Sequence, residues 1–101
     1  MIRHRYYVGT VTKDGLPVSD EQRAKLRKTL CDMYNGYTVY RVGGAWRDVW
    51  GTIKVEQSEV YEGLAPRPDV DPQALAMLLA QLAEQSTVLW TKEKVTGGFS
   101  A

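Results

Sequence analysis

The segment YTVYRVGGAWRDVW, residues 37–50, concentrates the side chains that could hold a flat, negatively charged molecule. Trp46 offers an indole plane on which a base could stack, a contact worth roughly 1–3 kcal/mol per base. Arg47 offers two parallel N–H donors to a phosphate. Together they suit a small anionic ligand such as a nucleotide. The predicted ligand-binding residues are Trp46, Arg47, Arg41, Tyr37, Tyr40 and Trp50.

The same segment also fits a purely structural role. Trp46 would then close a small apolar cluster under a β-hairpin, and Arg47 would pair with Asp48 in solvent. The ligand-binding interpretation depends on the Gly-Gly pair at Gly43 and Gly44, which predicts a β-bulge. A bulge would break the alternation of side chains and bring Trp46 and Arg47 to one edge of the sheet. The sequence leaves both alternatives open.

The elements that must position these residues follow from periodicity and capping. Strands are predicted over residues 5–12, 37–47, 52–63 and 87–95. A first helix follows the capping-box pair Ser19 and Gln22 and stops at the Asn-Gly pair 35–36. A second begins at Pro72 after the cap Asp71 and carries a leucine-rich face. The order βαββαβ predicts one domain, residues 1–101, with an α+β ferredoxin-like fold. Its four-stranded antiparallel sheet carries two helices on one face.

The other face of that sheet is predicted to be bare and aromatic. Alternation along the strands places Tyr7 and Tyr40 on it. In the last strand, Leu89 is predicted to point inward and Trp90 outward. Because a monomer rarely leaves such a patch in water, Tyr7, Tyr40 and Trp90 are predicted to form a homo-oligomer interface, at least a dimer. A ligand platform is the alternative use of the same face.

The sequence contains few residues of the types that metal, cofactor or catalytic sites require. His4 is the sole histidine and falls in a predicted frayed N-terminus, so one chain cannot form a His-based triad or zinc cluster. Cys31 is the sole cysteine, which excludes an intramolecular disulfide and fits a reducing cytoplasm. The sequence has no phosphate-binding loop or dinucleotide-binding glycine motif. We therefore predict no metal, no cofactor and no catalytic residue.

The charge and hydropathy patterns bear on the class of partner. The net charge of +1 provides no broad field to recruit nucleic acid, and GTIKVEQ lacks the aromatic signature of an RNA-recognition motif. The longest apolar run, ALAMLLAQLA, is too short to span a bilayer, and MIRHRYYVGT lacks the apolar core of a secretory signal. These patterns predict a cytoplasmic protein, in the host cytoplasm if it is phage-encoded. The stretch APRPDVDP is the one predicted linker.

Three segments carry a resemblance: YYVGTVTKDGLPVSDEQ, GYTVYRVGGAWRD and EQSTVLW. They resemble a family of small uncharacterised bacterial and phage proteins that keep a G-x-T-V…G-x-W hairpin and a Q-x-S-V-L entry to the last strand. The matching residues are Gly36, Thr38, Val39, Gly44, Trp46, Gln85, Ser86, Val88 and Leu89, with Thr87 inserted before the last pair. The resemblance implies the ferredoxin-like fold and singles out Trp46.

Two functional hypotheses follow from these observations. The first is a non-catalytic, oligomeric binding protein for a small anionic ligand. By analogy with phage proteins that bind nucleotide second messengers of bacterial immunity, that ligand would be a cyclic nucleotide, and binding would sequester it. The second is a small dimeric ferredoxin-like enzyme, an isomerase or cofactor-free oxygenase, with Glu62 pointing into a cavity between sheet and helices. A protein-interaction module is the third alternative.

Overall fold

The computed structural model describes residues 1–65, 70–98 and 100 of the chain. Its elements are β1 (Ile2–Gly9), α1 (Asp20–Tyr34), β2 (Thr38–Arg47), β3 (Ile53–Ala65), α2 (Pro72–Leu82) and β4 (Leu89–Lys94). The strands pair antiparallel in the order β2-β3-β1-β4. The predicted ferredoxin-like βαββαβ fold is therefore confirmed. The predicted linker falls partly on residues 66–69, which lie outside the described residues.

Helix α1 begins and ends where its capping residues predict. The Ser19 hydroxyl accepts a hydrogen bond from the Gln22 backbone N–H at 3.1 Å, and the Gln22 side chain accepts one from the Ser19 N–H at 2.8 Å. This reciprocal pair satisfies two of the N–H groups that a helix start leaves unpaired. The helix ends at Asn35, which adopts the left-handed conformation with φ of 60°. Leu26 and Leu30 are its buried residues.

Helix α2 also follows its predicted start. The Asp71 carboxylate accepts hydrogen bonds from the backbone N–H groups of Gln73 and Ala74, at 3.0 and 3.2 Å, and Pro72 occupies the first helical position. Leu75 and Leu79 of this helix are buried. Within the described residues, neither helix has the length and apolar character needed to cross a membrane.

One hydrophobic core lies between the helices and the sheet. Residues directly opposite each other on neighbouring antiparallel strands share a face. Tyr6 of β1 pairs with Tyr61 of β3, and both are buried in the core with Leu26 and Leu30 of α1 and Leu79 of α2. We call this side of the sheet the helix face and the opposite side the open face.

The predicted direction of the β4 side chains is wrong. Trp90 pairs with Tyr6, so it lies on the helix face, where it packs against the core and donates from Nε1 to the Gln73 side chain at 2.6 Å. Leu89 pairs with Tyr7 on the open face and is 61% exposed. The indole can be covered by α2 because its polar N–H finds a partner on that helix. Trp90 therefore does not belong to the open-face patch that was predicted as an oligomer interface.

The predicted fraying of the N-terminus is also wrong. Strand β1 begins at Ile2 and is paired on both sides, with β3 and β4. His4 is 2% exposed, and its Nδ1 lies 2.7 Å from the hydroxyl of Tyr34, which in turn contacts the hydroxyl of Tyr6 at 2.5 Å. Burial, and then the charge of Lys92, lower the pKa of His4 below its ordinary value.

The β2–β3 hairpin contains no bulge between Thr38 and Arg47. The pairing runs unbroken through Gly43 with Gln57 and Gly44 with Glu56. Trp46 therefore points to the open face and Arg47 to the other side, as strict alternation requires. The bulge was inferred from a glycine pair, yet a glycine pair also fits a regular strand when nothing crowds it, and both sites face open space.

Candidate functional site

The open face carries an aromatic and aliphatic row across all four strands. Tyr7 pairs with Val60 on one side and Leu89 on the other, and Val60 pairs with Tyr40. Within the described residues no helix covers this row, and Tyr40 and Leu89 are 39% and 61% exposed. The predicted placement of Tyr7 and Tyr40 on the uncovered face is confirmed.

A cleft of about 790 Å³ opens at one end of this row. Its lining comes from β1 and the following loop (Tyr7, Gly9, Val11, Thr12, Lys13), β2 (Val42, Gly43, Gly44, Ala45, Trp46), β3 (Glu56, Ser58) and the start of β4 with its preceding segment (Gln85, Ser86, Thr87, Leu89). Small-molecule sites typically measure roughly 300–1,000 Å³ and are mostly apolar with a few polar groups. The open-face cleft fits that description.

Two side chains in the cleft are held by hydrogen bonds. The Trp46 indole donates from Nε1 to Oε2 of Glu56 at 3.2 Å, across the hairpin. The Gln85 amide donates from Nε2 to the carbonyl oxygens of Val11 and Ala83, at 2.9 and 3.0 Å. The indole plane therefore stands in a defined position, although the Trp46 side chain remains 53% exposed. An exposed but oriented aromatic ring is what a stacking site requires.

An ion-pair network occupies the other end of the open face. Arg5 contacts Glu62 at 2.7 Å and Glu93 at 3.0 Å, and the Tyr40 hydroxyl donates to Glu62 at 2.7 Å. Burial works to raise the pKa of Glu62, but the hydrogen bonds from Tyr40 and Arg5 outweigh it and leave the pKa below its ordinary value. The prediction that Glu62 points into a cavity beneath the helices is therefore wrong, because its strand position places it on the open face.

Glu59 is the carboxylate that faces the helices. It is 7% exposed, and it contacts Arg23 at 2.7 Å and Arg27 at 3.3 Å. Burial works to raise its pKa, but the hydrogen bond from Arg23 and the charges of Arg23, Arg27 and Arg41 outweigh it, so the pKa lies below the ordinary value. With each oxygen bound by an arginine, Glu59 ties β3 to α1 and is not placed to transfer a proton.

The predicted ligand residues do not converge. Of the six, Trp46 lines the open-face cleft, and Tyr40 shares its face but binds Glu62. Arg47 donates to the Gly51 carbonyl oxygen at 2.9 Å and stiffens the hairpin turn.

The other three predicted ligand residues lie elsewhere. Arg41 pairs with Glu59 on the helix face, Tyr37 packs against Tyr61 with ring centroids 5.7 Å apart, and Trp50 is 86% exposed in the turn. Unbroken alternation in β2 accounts for the separation of Arg41 and Arg47 from Trp46.

Sequence reasoning missed the polar members of the cleft, Glu56 and Gln85. In the sequence Glu56 is one of several charged residues on a predicted strand and has no feature that sets it apart. Gln85 stood in the Q-x-S-V-L motif, together with Ser86, and both line the cleft. The motif therefore marked two residues of the cleft in the sequence, although it did not indicate which other strands they would lie against.

The described residues offer no metal site, since no group of three or more His, Cys, Asp and Glu side chains is placed to hold an ion. The chemistry available in the cleft is that of an aromatic wall, a carboxylate, an amide and hydroxyl groups. These groups can stack on a ring and form hydrogen bonds with its substituents.

Comparisons with known proteins bear on the fold. No protein-family model and no curated protein matches the chain. Among solved structures, a phage SAM lyase in complex with S-methyl-5'-thioadenosine is similar, with a TM-score of 0.68 and 16% sequence identity. The match covers 92% of this chain and 80% of that one. At this level of identity the similarity shows a shared fold.

Proposed function

We propose that this protein binds a small molecule containing an adenine-type ring in the open-face cleft. The observation that carries the proposal is the Trp46 indole, held by Glu56 at the wall of a cleft of about 790 Å³. Stacking of a base on such a ring contributes roughly 1–3 kcal/mol. Tyr7 and Leu89 supply further apolar surface in the same cleft.

Adenosyl thioethers and sulfonium compounds are the leading ligand class. The similar fold described above was solved with S-methyl-5'-thioadenosine bound, which supports an adenosine derivative as the first ligand to test. That compound combines a flat base, a ribose and an apolar thioether. The cleft offers an aromatic wall for the base and the hydroxyl groups of Ser58 and Thr87 among its polar groups. S-adenosylmethionine belongs to the same class.

Sequestration of a nucleotide second messenger is the second candidate. A phage protein acting in the host cytoplasm could suppress immune signalling by holding such a nucleotide without converting it. Lys13 lines the cleft and could contact a phosphate, which favours this candidate. The predicted arginine contacts cannot contribute in one chain, because Arg41 and Arg47 lie on the other side of β2.

Catalysis is the alternative to pure binding. The fold neighbour is a lyase, and Glu56 places a carboxylate in the cleft of this chain. A lyase acting on S-adenosylmethionine here would break the bond between the sulfonium sulfur and the four-carbon amino-acid chain. It would release S-methyl-5'-thioadenosine and the chain as a lactone closed by its own carboxylate, whereas a binding protein would return its ligand unchanged. The isomerase or oxygenase with an inward-facing Glu62 finds no support, since Glu62 lies on the open face.

One experiment separates these candidates. The purified protein is incubated with S-adenosylmethionine, S-methyl-5'-thioadenosine and a panel of cyclic nucleotides, then washed, heat-denatured and analysed by chromatography. We expect an adenosine derivative to be retained by the wild type and by Trp50→Ala but lost from Trp46→Ala. Trp50 is the matched control because its side chain is exposed in the hairpin turn and does not line the cleft. Retention of no compound would overturn the proposal.

We also propose that the protein is at least a dimer through the open face. With Trp90 on the helix face, the apolar residues available are Tyr7, Tyr40 and Leu89. Aromatic side chains bury about 150–250 Å² each, so covering this row offsets part of the entropy cost of association. Sedimentation should show self-association that Leu89→Glu reduces, and a monomer at high concentration would contradict it.

A further inference from the structure

Two side-chain oxygens lie close to the Cα atom of Gly9, the last residue of β1. A Cβ placed on Gly9 would lie 2.5 Å from Oε1 of Gln85 and 2.7 Å from Oε1 of Glu56. Both separations are shorter than a Cβ atom can tolerate, so only glycine allows the two oxygens to approach the strand here. Gly9 lines the open-face cleft together with Glu56 and Gln85. Both oxygens therefore lie over Gly9 at the cleft wall.

Hydrogen bonds elsewhere in the two side chains fix which atoms face Gly9. The Gln85 Nε2 donates to two backbone carbonyl oxygens, those of Val11 and Ala83, which assigns the other end of the amide as oxygen. Glu56 uses Oε2 to accept from the Trp46 indole. Within the described part of the chain, neither Gln85 Oε1 nor Glu56 Oε1 accepts a hydrogen bond. Two oriented acceptors, one of them charged, are thus available beside the aromatic wall.

We infer that Glu56 and Gln85, brought together over Gly9, form an acceptor pair that selects a positively charged group of the ligand. This inference rests on the proposed function and narrows its ligand to adenosyl compounds with a sulfonium or ammonium centre. A carboxylate beside an indole attracts a cation through charge and through the ring face. A phosphate in the same position would be repelled by Glu56, and among the described residues Lys13 is the one lysine or arginine in the lining.

The test compares two ligands that differ at one centre. Sinefungin carries an ammonium group where S-adenosyl-L-homocysteine has a neutral thioether, and it has no sulfonium for a lyase to cleave. We expect the wild type to bind sinefungin about tenfold more tightly in calorimetry, the gain typical of one charge-assisted contact. Glu56→Gln keeps the side-chain shape and removes the charge, so its preference should fall to about twofold or less. Glu93→Gln, on the open face outside the cleft lining, should retain the full preference.

A glycine pair provides the second arm. Gly9→Ala inserts a methyl group where the two oxygens meet, and since both are ends of flexible side chains, we expect them to part and the preference to be lost. Gly98→Ala is the matched control, because a Cβ there meets nothing and Gly98 does not line the cleft. Equal wild-type binding of the two ligands, or a preference that survives Glu56→Gln, would overturn the inference and leave the proposed function standing. Failure of the wild type to bind any adenosyl compound would overturn both.

Discussion

The two faces of the sheet use alternate residues of the same strands for different purposes. On the helix face, Tyr6 and Tyr61 are at most 1% exposed, and the carboxylate of Glu59 is bound by two arginines. On the open face, Trp46 and Leu89 remain more than half exposed beside a cleft. Burial and satisfied polar groups stabilise the first face. The second retains accessible aromatic surface and free acceptors, which are what a ligand needs.

A pair of leucines gives the largest expected difference between the faces. Leu79→Ala removes a side chain that is 0% exposed, whereas Leu89→Ala truncates one that is 61% exposed. We expect the first to lower the free energy of unfolding by about 2–5 kcal/mol and the second by less than about 1 kcal/mol. Denaturant unfolding followed by circular dichroism measures both. Both are measured at a concentration where sedimentation shows the monomer, and equal losses there would contradict the exposure of Leu89.

Two carboxylates of β3 give the next comparison. Glu59→Gln removes the carboxylate that Arg23 and Arg27 share, and because both guanidinium groups reach solvent we expect a loss of about 1.5–3 kcal/mol. Glu56→Gln, on the exposed cleft wall, should change stability by less than about 0.5 kcal/mol. A similar effect of the two changes would show that Glu59 is not the buried tie between β3 and α1.

The lowered pKa of Glu59 also predicts a dependence on pH. Its stabilising contribution is complete above the ordinary carboxyl pKa of about 4.3 and is lost as the pH falls toward the lower folded pKa. Glu59→Gln should therefore flatten the loss of stability in that acidic range. An unchanged acid profile would contradict the assignment.

Protonation of His4 should lower the stability of the fold at a higher pH than protonation of Glu59 does. Because its pKa is lowered by burial, the unfolded chain takes up a proton first, and stability falls as the pH drops below about 6.5. His4→Gln keeps a hydrogen-bonding group near Tyr34 and does not titrate. Melting temperatures between neutral and mildly acidic pH should therefore decline more steeply for the wild type than for this variant. Parallel declines would indicate that His4 does not titrate on unfolding in this range.

The smallest expected effect is that of Arg47→Ala. The sequence assigned this arginine to the ligand, but its guanidinium donates to the turn carbonyl of Gly51 and points away from the cleft. We expect ligand affinity within about twofold of the wild type and a loss of stability below about 1 kcal/mol. Calorimetry with the ligand that the wild type retains checks the first, and a melting curve checks the second. A loss of binding would revive the anionic-ligand interpretation.

The fold could be predicted from local signals. The Ser19 capping box, the Asp71 cap and the leucine spacing determine where the helices begin and which side they bury. The order of elements then restricts the topology. The direction of Trp90 could not be predicted locally, because it follows from the pairing of Trp90 with Tyr6 of a distant strand, which brings the indole to Gln73 of α2.

The site was predictable only in its aromatic part. Trp46 stood out by residue type, and the structure places it in the cleft. The acceptor pair over Gly9 depends on three distant segments meeting: the end of β1, the β3 position of Glu56, and Gln85 before β4. Their meeting follows from strand register, which residue spacing along one strand does not reveal.

The most direct test of the open-face site is a two-dimensional amide NMR titration with S-methyl-5'-thioadenosine and with sinefungin. We predict that the amides of Gly9 and Gly44 and the indole N–H of Trp46 shift as ligand is added. The amides of Leu26 in α1 and Leu79 in α2, both buried against the helix face, should stay in place. Shifts confined to the helix face, or none at saturating ligand, would contradict the assignment of the open-face cleft as the binding site.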